Sequence, residues 1–266
     1  MVETFIRGNK KITVIDLSDC LSNDTSSFEP NAHKIEYIDH EQSLEMGKKF
    51  FGLEKEDWPT GHSWAVETVT LSTHSGTHVD APYHYGPYSG GKPAKTIDQV
   101  PLQWCFGNGV LLNMTPKKKG EYIDKHDIQQ ELDRIEYEIV PEDIVLIRTD
   151  TSKKFKQPGY DMMHPGLSRN ATEYLVQKGV RLIGIDAWGI DRPFDVMVKE
   201  AKAGNKEQLW ESHFYGIENE YLQIERLSNL EAIPINFGFK VYALPVKIEN
   251  ASAGWSRVVA MIEEDV

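Results

Sequence analysis

The chain of 266 residues is poor in cysteine, in basic charge and in long apolar runs, and each shortage narrows what it can be. Its two cysteines, Cys20 and Cys105, lie in dissimilar surroundings without metal-type spacing, which leaves them as reduced, structural thiols. Lys and Arg number 29 against 41 Asp and Glu, for a net charge of −12. A phosphate backbone is bound by clustered basic side chains that displace counterions, so nucleic acid is not an expected partner. The one basic run, Lys117-Lys118-Lys119 before Gly120, reads as a solvated turn. No apolar stretch approaches the roughly 20 residues of a membrane span. Met1–Arg7 also lacks the apolar core of a signal peptide, so no membrane partner is expected and the cytoplasm is the default location. There is no internal repeat and no low-complexity linker, and the length suffices to bury one sizeable core; a single domain over 1–266 is expected.

What the sequence does contain is a series of short apolar strands with a few helices between them. Ile12–Leu17, Val66–Leu71, Gly109–Met114, Asp143–Thr149, Val180–Asp186, Tyr221–Glu225, Val241–Leu244 and Arg257–Ile262 have strand character. Helices are expected over Ser43–Phe51, around the stripe Ile128, Leu132 and Ile135, from a Ser168 cap to Gly179, and from about Phe194 to Ala203. Strand, helix and strand between 143 and 186 suggest a parallel crossover. Strands outnumber helices and hairpin-like pieces accompany the crossover, so an α/β or α+β domain with mixed parallel and antiparallel sheets is expected. The Gly/Pro-rich segment Gly86–Pro93 is either a lid or a plain surface loop.

The chemistry concentrates in Ser72–Tyr85, where three histidines and an aspartate fall within eleven residues. A helix is disfavoured there, because Ser75, Gly76 and Thr77 are poor helix formers and Pro82 would end one. In an extended chain, His74, Gly76, His78, Asp80 and His84 would share one side, with Gly76 leaving room for an ion or substrate. Imidazole and carboxylate donors suit zinc, manganese or iron, and three close ligands leave positions open for water and substrate. A bound divalent ion lowers the pKa of its water, giving metal-bound hydroxide near neutrality, and polarises a carbonyl; hydrolysis of an amide or ester is the natural reaction. A fourth group at this spacing is one more than ligation needs, so His84 is assigned proton transfer. His62, His126 and His164 lie outside the cluster, although His62 precedes the strand that feeds it; His33 and His40 read as surface residues.

The run His74-Ser75-Gly76-Thr77-His78-Val79-Asp80-Ala81-Pro82-Tyr83-His84 resembles the HxGTHxDxPxH signature of the metal-dependent cyclase-like hydrolases, which include bacterial kynurenine formamidases and isatin hydrolases. The resemblance implies a swivelling β/β/α fold, a homodimer and a small-molecule substrate. It implies that His74, His78 and Asp80 hold a divalent metal, Zn or Mn, that Asp80 bridges if two ions are present, and that His84 is the general acid/base. It further implies that His213 and Glu225, followed by Leu227-Ser228-Asn229-Leu230, complete a second metal position, with Glu218 and Glu220 competing for Glu225's part. Two departures bear on substrate. Phe28-Glu29-Pro30-Asn31 replaces the formamidases' Trp-Pro-Gly-Asp pocket loop, and Gly184–Pro193 is bulkier, with Trp188 and Arg192 as candidate walls for a larger or anionic substrate. The resemblance therefore does not carry N-formylkynurenine over. The expected function is a metal-dependent hydrolase of an amide, lactam or lactone; a polyketide-type cyclase or dehydratase and a non-catalytic metal or small-ligand binder are the alternatives.

Overall fold

The structure, a computed structural model, describes residues 1–28 and 32–266 and divides into two compact units, Met1–Cys20 with Thr73–Val266, and Leu21–Ser72. Residues 29–31 of the expected pocket loop lie outside the described residues. The larger unit opens with the hairpin of β1 (Val2–Arg7) and β2 (Lys10–Asp16).

The smaller unit pairs β3 (Lys34–Ile38) with β4 (Val66–Thr70) in an antiparallel ribbon, with α1 (Leu44–Phe51) between them in sequence. Gly52 ends α1 in the left-handed region at φ 71°, as its sequence predicts. A two-stranded ribbon buries little, and β4 is exposed along most of its length instead of burying alternate residues. His33 is buried, against expectation, with its ring 2.6 Å from the Ser22 carbonyl. His62 stays exposed beside Glu41 at 3.6 Å.

The larger unit resumes with β5 (His78–Asp80), the single turn α2 (Pro82–Tyr85), the small ribbon of β6 (Tyr88–Ser89) and β7 (Lys92–Pro93), and β8 (Phe106–Asn113). Then come β9 (Tyr122–Ile123), α3 (Lys125–Arg134), β10 (Ile144–Arg148), β11 (Gly166–Leu167), α4 (Arg169–Gln177) and β12 (Leu182–Ile185). The chain closes with α5 (Phe194–Lys202), α6 (Glu211–Glu218), β13 (Leu222–Glu225), β14 (Phe239–Tyr242), β15 (Ala253–Trp255) and β16 (Val259–Asp265). Among the described residues ten strands form one sheet in the order β1-β2-β16-β14-β8-β10-β12-β13-β5-β15. Its centre, β8, β10, β12 and β13, is parallel, and the flanking strands are antiparallel, the mixed α/β arrangement expected.

The central strands β10 and β12 read as apolar runs because both faces are covered. Val110, Leu112, Val145, Ile147, Ile183 and Ile185 join one core with Ile128 and Leu132 of α3 and Leu175 and Val176 of α4. Leu111, Ile144, Leu146 and Leu182, one step along the same strands, join the other core with Ile15, Val241 and Ala260. The starts of α3 and α4 follow side-chain caps. Asp124 accepts the His126 and Asp127 amides, and Ser168 accepts that of Ala171. The Gly86–Pro93 segment is pinned to α6, with Ser89 Oγ donating to the Gly216 carbonyl at 2.5 Å and Gly90 N to that of Ile217 at 3.0 Å.

Candidate active site

The histidine-rich segment is not one extended face. Thr73–Thr77 turns, with Gly76 at φ 64°, a region that residues with a side chain rarely adopt. Three residues of β5 follow, and Pro82 then opens the turn α2 at a helix's first position, where its missing N–H costs nothing. Only His78 and Asp80 share a strand face; a turn brings in His74 and a helical turn brings in His84. Asp80 is the hub. Its Oδ1 lies 2.8 Å from Nδ1 of His74 and 3.2 Å from Nε2 of His78. Gly76 also supplies the carbonyl that receives Nδ1 of His78 at 2.8 Å, which keeps a proton on Nδ1 and, in the neutral ring, leaves Nε2 as a lone pair. Nε2 of His74 lies 3.0 Å from Ser252 Oγ.

The sheet brings in the distant residues. Because β13 runs antiparallel to β5, Glu225 stands directly opposite His78, and its Oε2 lies 3.7 Å from Nε2 of that histidine. Val79 and Ile224, one step along, turn into the opposite core. His213 sits in α6, a helix not anticipated from the sequence, and directs Nε2 to Asp80 Oδ2 at 4.0 Å and to Glu225 Oε1 at 3.9 Å. The competing carboxylates are engaged elsewhere, Glu218 with Arg169 at 2.6 Å and Glu220 with Lys95 at 2.5 Å.

Charge and burial give this cluster its character. Asp80, His78 and His213 are almost wholly buried, yet among the described residues neither oxygen of Asp80, nor Nε2 of His78, nor Nε2 of His213 has a hydrogen bond of normal geometry. Converging buried donors and acceptors without partners are costly, and a cation among them would satisfy all at once. His74, His78 and Asp80 place their ligand atoms within 4.8 Å of one another, and so do Asp80, His84 and His213. Burial pushes the Asp80 carboxyl up, but the imidazoles of His78, His84 and His74 outweigh it and hold it well below the usual carboxylate range. Burial and the Asp80 charge raise the Glu225 carboxyl. Burial disfavours charge on His78 and His213, but Asp80 and Asp191 respectively raise both. Such shared protons are what a divalent ion displaces, so the residues present fit one. Burial drives the His84 imidazole down to about 3 against the pull of Asp80, with His213, His74 and His78 adding to the effect, so its ring is neutral near pH 7.

A cavity of about 200 Å³ opens beside the cluster, walled by Trp188, Phe194, Met197 and Trp210. The Trp210 indole stacks on His213 at 4.3 Å. Arg192 reaches the wall, but its guanidinium is bound to Glu200 and the Tyr122 hydroxyl and lies 3.6 Å over the Tyr122 ring; that charge is already neutralised within the protein. Arg226 instead lies over Trp188 at 4.7 Å. His164, set aside on sequence grounds, also lines the cavity, its ring nitrogens on the carbonyls of Pro165 and Asp161. Asp191, Trp210 and Ser252 carried no pattern that would single them out, since each reaches the site from a loop.

The profile of the family named Cyclase matches residues 15–192, about two thirds of the chain. The chain belongs to the cyclase family. A Bacillus cereus kynurenine formamidase is 29% identical over 204 residues, 76% of this chain and 83% of the relative, and one from Bacillus thuringiensis is 26% identical over 249 residues, 92% and 95%. Solved structures share the fold. An isatin hydrolase bound to the product analogue thioisatinate aligns with TM-score 0.74 at 23% identity, covering 95% of this chain and 93% of its own. A potential metal-dependent hydrolase with cyclase activity aligns with TM-score 0.65 at 21% identity, covering 95% and 99%. The mixed α/β fold expected from the sequence stands. Among the described residues no helix is long and apolar enough to cross a membrane.

Proposed function

We propose that this cyclase-family protein hydrolyses an amide, lactam or lactone with one or two divalent ions, Zn or Mn, held by His74, His78 and Asp80 and, for a second ion, by Asp80, His213 and Glu225. The observation that carries the reading is the convergence of Asp80, His78 Nε2 and His213 Nε2 in a buried space, where their close contacts are with one another, His74 and Glu225. Nitrogen and oxygen donors suit both metals. When bound, the ion supplies a Lewis acid that polarises the scissile carbonyl.

The chain's own residues do the rest. His84, with a ligand atom within 4.8 Å of those of Asp80 and His213, takes a proton from the attacking water at an imidazole nitrogen and returns it to the leaving nitrogen or oxygen as the C–N or C–O bond breaks. Trp188, Phe194 and Trp210 hold the apolar body of the substrate and exclude water. The free thiols of Cys20 and Cys105 suit a cytoplasmic setting, and exposed Val2, Phe5 and Ile6 on β1, at the end of the sheet, suit a homodimer, which light scattering would test.

The decisive experiment is His84→Ala on protein loaded with Zn²⁺ or Mn²⁺ and assayed against formamides, lactams and lactones. Bound metal should survive while turnover falls about 10²- to 10⁴-fold. Undiminished turnover would remove His84 from proton transfer, and no turnover of any of these substrates by the loaded wild type would leave the cyclase or dehydratase and the binding-protein alternatives.

A further inference from the structure

His78 and His213 both direct Nε2 at the central carboxylates, and what stands behind each ring differs. Nδ1 of His78 meets a neutral backbone carbonyl, that of Gly76. Nδ1 of His213 meets a charged group, Asp191 Oδ2, at 2.5 Å. Asp191 is 3% exposed and also serves the backbone, since Oδ1 accepts the Ser212 amide at 2.7 Å and Oδ2 accepts that of His213 at 3.3 Å. These are orphan amides of the first turn of α6, whose own preceding residue, Trp210, provides no side-chain cap and sits in the left-handed region at φ 56°. A loop residue therefore caps the helix and orients its histidine with one carboxylate. The same loop reaches the other distant donor, because the Ile190 amide donates to Glu225 Oε1 at 2.9 Å. The loop itself is fixed: Leu167 N bonds the Ile190 carbonyl at 2.8 Å, and a Cβ on Gly166 would lie 2.1 Å from the Arg192 nitrogen, so the two backbones are in contact.

We propose that Asp191 is the positioning residue for metal binding at the His213 side of the centre: it keeps the imidazole proton on Nδ1 and strengthens Nε2 as a donor, so that an ion held by His213, Glu225 and Asp80 depends on Asp191 and one held by His74, His78 and Asp80 does not. The proposal rests on the metal reading above. A carboxylate behind a ligating imidazole fixes its tautomer and raises its basicity, and removing such a partner typically lowers metal affinity 10- to 100-fold. Asp191→Asn is the informative change because both Asp191 oxygens face N–H donors. An amide must turn its NH₂ toward one of them and lacks the charge whichever way it turns.

Two measurements test this. Nitrogen NMR of metal-free wild-type protein, at a pH where the ring is neutral, should find the His213 proton on Nδ1; a proton on Nε2 overturns the proposal without any variant. Chelator competition with Zn²⁺ should then show affinity falling about 10- to 100-fold in Asp191→Asn protein whose circular dichroism is native, with the ion on the His74 side held as in wild type. Wild-type affinity throughout in the folded variant overturns the role of Asp191 alone, whereas a wild-type protein that binds neither Zn²⁺ nor Mn²⁺ overturns the metal reading and this proposal with it.

Discussion

His78 and His213 offer the same nitrogen to the two oxygens of one aspartate, 3.2 and 4.0 Å away, and reach it by different routes. His78 belongs to a half built locally: His74, His78, Asp80 and His84 come from one turn, three strand residues and one helical turn, and Gly76, two residues away, orients the ring. His213 belongs to a half assembled by the sheet. Its helix is capped from the loop after β12, and its partner Glu225 is set by strand register against His78. The local half therefore depends on short-range backbone geometry, and the distant half on packing of elements far apart in sequence.

The largest effect is expected where the halves meet. Asp80→Asn preserves shape but removes the charge that His74, His78 and His213 all face, so both halves should fail together. Metal affinity should fall by more than the roughly 100-fold seen when only an outer partner is lost. Elemental analysis after dialysis gives the reading; full retention would mean that the halves do not share this group.

That division also explains what the sequence made legible. The spacing from His74 to His84 exposed the local half, although as an even-numbered strand face; the φ 64° turn at Gly76 and the α2 turn at Pro82 gather the same residues by another geometry. The buried strands around Val145 and Ile183 were legible because residues covered on both faces leave unbroken apolar runs. His213 and Glu225 were reached only through a family resemblance, since no local period links a helix to a strand twelve residues on. Asp191 was not legible, because a cap supplied from a preceding loop has no fixed spacing to its helix. Arg192 looked like a substrate anchor because a sequence shows a charge without showing that Glu200 already answers it.

A change in α6 where it meets Tyr85 of the local half should have an intermediate effect. Gly216 faces the Tyr85 ring so closely that a Cβ would lie 2.2 Å from Cδ2. Gly216→Ala must push α6 or Tyr85 aside, an overpacking cost of about 1–3 kcal/mol. Thermal unfolding should show a loss of about 2–10 °C. If the two halves are separable, metal binding on the His213 side should weaken in the folded variant more than on the His74 side, and equal weakening would show that the sheet couples them.

The smallest effect is expected from the neutral partner of the local half. Nε2 of His74 lies 3.0 Å from Ser252 Oγ, a part-buried contact between a partly exposed ring and a hydroxyl. Ser252→Ala removes one neutral hydrogen bond, with a net value of about 1 kcal/mol, and water can replace it at an accessible ring. Zn²⁺ affinity should fall by about 2- to 10-fold. The buried, charged Asp191 behind His213 should matter more than this neutral serine behind His74. Chelator competition on both variants compares them directly, and a Ser252→Ala loss equal to that of Asp191→Asn would mean that burial and charge behind the imidazole do not distinguish the two halves.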